Sequence, residues 1–117
     1  MPHLSSSMLG GELLFLSGQI AFDASGQVTG DITEQTQRCL ERLENELKKH
    51  GLDRQTVVKT SVWLTRRSDF ATFDATYAAF FGDHKPARST VISALAFEGA
   101  LVEIEVVASG SRPKTVR

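Results

Sequence analysis

The chain has 117 residues, enough for one domain with one hydrophobic core and too few for two domains of ordinary size. Its hydrophobic content is 41% and its net charge is -1, so composition supplies no broad cationic surface for nucleic acid. The one cysteine excludes an internal disulfide, and no apolar run is long enough to cross a bilayer. The first residues hold neither a basic n-region nor an apolar h-region, so we expect a single cytoplasmic domain over residues 1–117.

The first half of the chain predicts a strand, a turn and a helix. Residues 12–20 form a mostly apolar run typical of a buried strand, and turn residues at 23–26 predict a hairpin. Asp31 and Glu34 have the spacing of a capping box, and apolar residues follow at the helical period. We therefore expect the first helix over about residues 32–50.

The second half predicts a strand, a helix and two more strands. Apolar and polar residues alternate from 56 to 65, which indicates a long strand. An aromatic stripe at helical spacing, ended by Gly82, predicts the second helix. The last two strands are expected at about 88–95 and 101–108. Residues from about 111 to 117 are expected to form a loose basic tail.

The element order β-β-α-β-α-β-β predicts an α+β fold with two helices on one face of a mixed sheet. The other face would combine apolar and charged side chains. Its expected members are Val57, Lys59, Trp63, Leu101, Glu103, Glu105 and Val107. Because burying one large apolar side chain stabilises by about 1.5–3 kcal/mol, we expect this face to be covered by self-association.

Arg88 and Glu103 are the candidate functional pair. The period-two alternation of the last strand places Glu103 and Glu105 on one face, where an arginine on a neighbouring strand is expected to meet a carboxylate. A guanidinium matches a planar carboxylate, and a glutamate can orient or activate a water. The pair suggests hydrolysis of a small acid. From spacing alone, an arginine at a strand start such as Arg88 is more often a solvated charge than a functional residue. Glu105 is interpreted as structural.

Six segments together carry a resemblance to a known family. They are residues 16–19 (LSGQ), 30–36, 58–60, 69–81, 86–89 (PARS) and 102–105 (VEIE). The chain resembles the reactive intermediate deaminase family, also called the RidA or YjgF family. The resemblance implies a chorismate-mutase-like fold and a homotrimer with ligand clefts between subunits. It also implies cofactor-independent hydrolysis of 2-enamino and 2-imino acids, such as 2-aminoacrylate and 2-iminopropionate, to 2-keto acids and ammonia.

The resemblance also implies roles for individual residues. Arg88 is similar to the arginine that binds the substrate carboxylate, and Glu103 to the glutamate that positions water. Ser17 and Gly18 match the loop that lines the same cleft. Thr90 stands where many members have cysteine, at a position whose contact is made by the main chain.

Two positions depart from the family pattern at the implied site. Leu4 stands where active members have an N-terminal tyrosine, so no hydroxyl is offered there. Asp74 stands where asparagine is frequent, and a carboxylate near the cleft would oppose an anionic substrate. Asp74 is equally well explained as a residue at the border of an apolar helical stripe that reaches solvent.

Two other classes of function stay open. Leu4 and Asp74 are also the features expected of a non-catalytic member that binds small carboxylates or acts as an interaction module. A direct assay of imine hydrolysis separates that class from the enzyme. The third class is a ribonuclease or translation inhibitor, as some members have been described, which the near-neutral charge disfavours.

No metal site or cofactor is expected. His3, His50 and His84 are scattered, without the spacing that makes a metal site credible. Cys39 lies on the apolar side of the first helix, where a cysteine more often packs than reacts.

Overall fold

The computed structural model of the chain describes residues 2–111 and 113–116, and within them six strands and two α-helices. They are β1 (Ser7–Gly10), β2 (Leu13–Leu16), β3 (Gln19–Ile20), α1 (Ile32–Lys48), β4 (Val57–Leu64), α2 (Phe70–Phe81), β5 (Ala87–Ile92) and β6 (Val102–Ser109). The sheet order is β1-β2-β6-β4-β5, and β3 pairs with β6. Only β4 and β5 are parallel among these pairs. The α+β fold with a mixed sheet is confirmed.

Helix α1 begins where the capping box predicts. The Asp31 carboxylate accepts from the Glu34 backbone N–H at 2.9 Å, and the Glu34 carboxylate accepts from the Asp31 N–H at 3.2 Å. Cys39, Leu43 and Leu47 are buried on the side that faces the sheet. The local sequence therefore determines both the start of the helix and its buried face.

Helix α2 places its aromatic stripe on the same side of the sheet. Phe73, Tyr77 and Phe81 are buried, with neighbouring ring centroids 5.5 and 4.8 Å apart, whereas Phe70 at the first turn is 40% exposed. Gly82 adopts a φ of 62° just after the helix, a conformation that glycine takes without strain. None of the helices in the described part of the chain is long and apolar enough to cross a membrane.

The N-terminal strand differs from the expectation. The predicted strand over 12–20 is divided into β2 and β3 by Ser17 and Gly18, and β2 pairs with a preceding strand, β1, that the sequence did not predict. The exposed side chains of β1 give it no apolar pattern. The turn at 23–26 does form, but it joins only the isolated bridge between Phe22 and Val28.

The face away from the helices also needs two corrections. A β-bulge between Val57 and Lys59 turns Val57 into the core, where it is 1% exposed. Leu101 precedes β6 and packs against the core. The pairs Trp63–Glu103, Ser61–Glu105 and Lys59–Val107 do lie on this face, which we call the open face.

The chain ends after β6 without further regular structure in the described residues. Strand β5 stops at Ile92, three residues earlier than expected, and β6 runs to Ser109. In the predicted tail, Ser111 and residues 113–116 form neither helix nor strand. Arg112 and Arg117 lie outside the described residues.

Candidate functional site

Arg88 lies on the helix-facing side of the edge strand β5, next to α2. Its Nη1 donates to Oδ1 of Asp74 at 2.7 Å, and the Arg88 side chain is 22% exposed while that of Asp74 is 45% exposed. The guanidinium carbon lies 4.7 Å from the ring centroid of Tyr77 and 5.6 Å from that of Phe73. A carboxylate and two aromatic rings therefore fix the guanidinium.

A cavity of about 430 Å³ opens beside this ion pair, between α2 and the start of β5. Its lining includes Asp74, Tyr77, His84, Lys85 and Arg88. A cavity of this size can hold a small organic acid. Sequence reasoning had named only the arginine and the aspartate here. The position of His84 and Lys85 just before Pro86 and Arg88 was the signal that could have found them.

Tyr77, which lines this cavity, is hydrogen-bonded to a second buried hydroxyl behind it. The Tyr77 hydroxyl and Thr60 Oγ1 are 2.7 Å apart and hydrogen-bonded. Burial raises the pKa of Tyr77, and the charge of Asp74 acts in the same direction against the opposing effects of Thr60 and Arg88. The phenol therefore stays neutral and acts as a hydrogen-bonding support for α2.

The imidazole of His84 is anchored to the main chain. Its Nε2 lies 2.7 Å from the carbonyl oxygen of Val57, so this nitrogen carries the proton and donates. The contact joins the loop after α2 to the start of β4. It leaves Nδ1 as the ring atom that can engage another group.

Glu103 lies on the open face, in contact with the break between β2 and β3. A Cβ at Gly18 would overlap the Glu103 carboxylate, so the absence of a side chain at this position lets the carboxylate pack there. Glu103 is half-buried, burial raises its pKa, and the neighbouring charge of Glu105 adds to the effect. Its carboxylate is therefore a stronger base than that of an ordinary glutamate.

Ser17 ties this loop to the N-terminal segment. Its Oγ donates to the carbonyl oxygen of Ser5 at 2.5 Å, and its N–H donates to the carbonyl oxygen of Ser6 at 3.0 Å. The structure thus brings Ser17, Gly18 and Glu103 together. Leu4 in the same segment is 64% exposed and contributes no polar group.

Within one chain the structure does not bring Arg88 to Glu103. Arg88 pairs with Thr60 of β4, whereas Glu103 pairs with Trp63 on the other side of β4. The two residues are two strand spacings apart across the sheet, which is about 10 Å, and three residues apart along the strands, which is about another 10 Å. Their side chains also leave opposite faces of the sheet. The expected meeting on neighbouring strands is wrong for a single chain.

Thr90 shares the face and strand of Arg88. It lies two residues further along β5, where its backbone pairs with Val62, and its side chain lines a shallow groove with Phe70 and Ile92. The candidate site residues therefore fall into two separate groups. We call Arg88, Asp74, Thr90 and the cavity the arginine half-site, and Ser17, Gly18 and Glu103 the glutamate half-site.

Comparison with known proteins assigns the chain to a family. The family model described as Endoribonuclease L-PSP matches residues 2–109. A Salmonella typhimurium protein named 2-iminobutanoate/2-iminopropanoate deaminase is 38% identical over 102 residues, which cover 84% of this chain and 80% of that protein. A RutC family protein of Pyrococcus horikoshii is 37% identical over 106 residues, covering 89% and 84% of the two chains.

Solved structures agree with the sequence comparison. The crystal structure of the YjgF gene product from E. coli has a TM-score of 0.83 and 34% identity to this chain. The match covers 91% of this chain and 87% of that one. The chain therefore belongs to the reactive intermediate deaminase family, also known as the RidA or YjgF family.

Proposed function

We propose that this protein is a hydrolytic deaminase that converts reactive 2-enamino and 2-imino acids to 2-keto acids and ammonia. The observation that carries the proposal is the Arg88 guanidinium, held by aromatic rings beside a cavity of about 430 Å³. The half-buried Glu103, with its raised pKa, supplies the proton-transfer group. The name of the Salmonella relative describes the same class of substrate.

The proposed reaction needs only these groups and water. Arg88 binds the substrate carboxylate, and the Glu103 carboxylate takes a proton as water adds to the imine carbon. The carbinolamine that results receives a proton on nitrogen. Its C–N bond then breaks, the hydroxyl oxygen becomes the keto oxygen after losing its proton, and ammonia leaves. One imine and one water thus give one keto acid and one ammonia.

The complete site requires two copies of the chain, since Arg88 and Glu103 leave opposite faces of the sheet. The open face supports self-association because Met8, Phe15 and Val91 are 62%, 46% and 46% exposed on it. Burial of such side chains stabilises an interface. We propose a homotrimer in which each cleft joins the arginine half-site of one copy to the glutamate half-site of its neighbour.

Ammonia release from freshly generated 2-iminopropionate tests the function. Arg88→Ala leaves an anion without its partner in a partly desolvated cleft, so we expect a loss of about 2–5 kcal/mol in transition-state stabilisation. Arg88→Lys should recover part of it, because an ammonium lacks the bidentate fork. Circular dichroism checks folding. Wild-type protein that releases ammonia no faster than buffer would remove the proposed activity.

A non-catalytic carboxylate-binding protein is the second candidate. Two observations favour it: the Arg88–Asp74 ion pair already engages the arginine, and Leu4 offers no hydroxyl to the site. Such a protein would bind a stable 2-keto acid, measured by calorimetry, and give no ammonia in the assay above.

A further inference from the structure

Asp74 changes what the arginine half-site can bind. Its Oδ1 accepts from Nη1 of Arg88 at 2.7 Å, and 45% of its side chain is exposed. Both residues belong to regular elements, Asp74 to α2 and Arg88 to β5, so the pair is held by the fold. A ligand that approaches Arg88 therefore meets a negative charge at the same place.

The guanidinium cannot simply turn away from Asp74 to serve a ligand. It lies 4.7 Å from the Tyr77 ring centroid and within 5.7 Å of the Phe70 and Phe73 centroids. A guanidinium has five N–H donors, and in the described residues its hydrogen bond to Asp74 uses Nη1. Donors remain for a ligand carboxylate, which would bind with Asp74 still in place.

Charge then decides which ligands are favoured. A 2-keto acid carries one negative charge, which Arg88 attracts and Asp74 repels. A ligand with a cationic nitrogen next to its carboxylate satisfies both, because its nitrogen can donate to the exposed Asp74 carboxylate. Lys85 and His84 also line the cavity, but neither supplies an acceptor charge for such a nitrogen.

We propose that Asp74 is a specificity residue that makes the arginine half-site select zwitterionic ligands over plain carboxylates. This inference rests on the proposed function, because it assigns Arg88 to the ligand carboxylate. In that reaction the protonated imine is a zwitterion, whereas the 2-keto acid product has lost the cationic nitrogen. Asp74 would thus favour substrate over product at the same arginine.

Calorimetry with two matched ligands tests the selectivity. L-alanine and L-lactate differ at one group, an ammonium in place of a hydroxyl. We expect the wild type to bind alanine about two- to fivefold more tightly than lactate, the range that an exposed ion pair supplies. Asp74→Asn keeps the shape and removes the charge, so its ratio should fall to about one, with weaker alanine and tighter lactate binding. Glu41→Gln is the charge control, since Glu41 is exposed on α1 and does not line this cavity.

The outcomes separate this inference from the proposed function. An alanine-to-lactate ratio that is the same in the wild type and Asp74→Asn overturns the role of Asp74. If the ratio is unchanged and the wild type still releases ammonia from 2-iminopropionate, the proposed function stands and only the selectivity is wrong. If the wild type binds neither ligand and releases no ammonia, both are wrong. Arg88→Ala should bind neither ligand, and retained binding there would also refute the inference.

Discussion

The two half-sites make mixed oligomers a direct test of where the active site lies. Arg88 is on the helix-facing side of β5 and Glu103 on the open face of β6, with β4 between them. The perturbation is a pair of variants, Arg88→Ala and Glu103→Gln. Each variant alters one half-site and leaves the other intact, so on the proposed arrangement neither variant alone forms a complete cleft.

The expected activity of the mixture follows from counting clefts. A cleft is complete when its arginine comes from a Glu103→Gln subunit and its glutamate from an Arg88→Ala subunit. In an equal mixture each of these two subunits is the required variant with a probability of about one half, so about one quarter of the clefts should recover wild-type activity. Trimers purified to contain both variants have one complete cleft in about three. A site built within one chain would recover nothing, because every site would keep one defect.

The assay uses co-expressed variants with different affinity tags, purified on both tags in turn. Ammonia release from 2-iminopropionate is compared with each variant alone and with Arg88→Ala carrying both tags. Light scattering should report three times the chain mass of 12.8 kDa. Doubly tagged protein no more active than the separate variants would refute the shared cleft, and a stable monomer would refute the trimer.

Three further outcomes are expected. Glu103→Gln should lower kcat about 10²–10⁴-fold, and Glu105→Gln should lower it much less. The charge of Glu105 raises the pKa of Glu103, so Glu105→Gln should lower that pKa and move the acidic limb of the pH–rate profile to lower pH. Gly18→Ala has no positive φ to oppose it, so the chain should fold by circular dichroism but displace the Glu103 carboxylate and lose activity. Tyr77→Phe should reduce the unfolding free energy by about 1–3 kcal/mol in denaturant titrations because Thr60 loses its buried partner, and adding Thr60→Val should recover part of it.

Features determined by local sequence were predicted well. The Asp31 capping box and the apolar period of α1 each depend on residues that are only a few positions apart, and the structure contains both. The bulge at Val57 was not predictable, because it depends on how β4 pairs with β6 and not on the β4 sequence alone. Strand β1 was missed because its residues are mostly exposed and gain their order from pairing with β2.

The same limit explains the error over Arg88 and Glu103. Alternation within a strand shows which residues share a face, but it does not show which face of one strand matches which face of another. That correspondence comes from register: Thr60 and Trp63 of β4 are the positions paired with Arg88 and Glu103, and they point to opposite faces. The order β5-β4-β6 likewise depends on the path that the chain takes between its strands. The residues of β5 and β6 do not reveal that path.

Asp74 lies between these cases, since the sequence left it open between a cleft residue and a solvent-exposed border residue and did not predict its partner. Residues 14 positions apart form the ion pair because α2 packs back against β5. A bare arginine would hold substrate and product through the same carboxylate contact, and equal stabilisation of the two gives no preference for release. With Asp74 in contact, hydrolysis removes the cationic nitrogen that offset its charge. On the proposed mechanism, the chemical step itself therefore weakens the hold on the product.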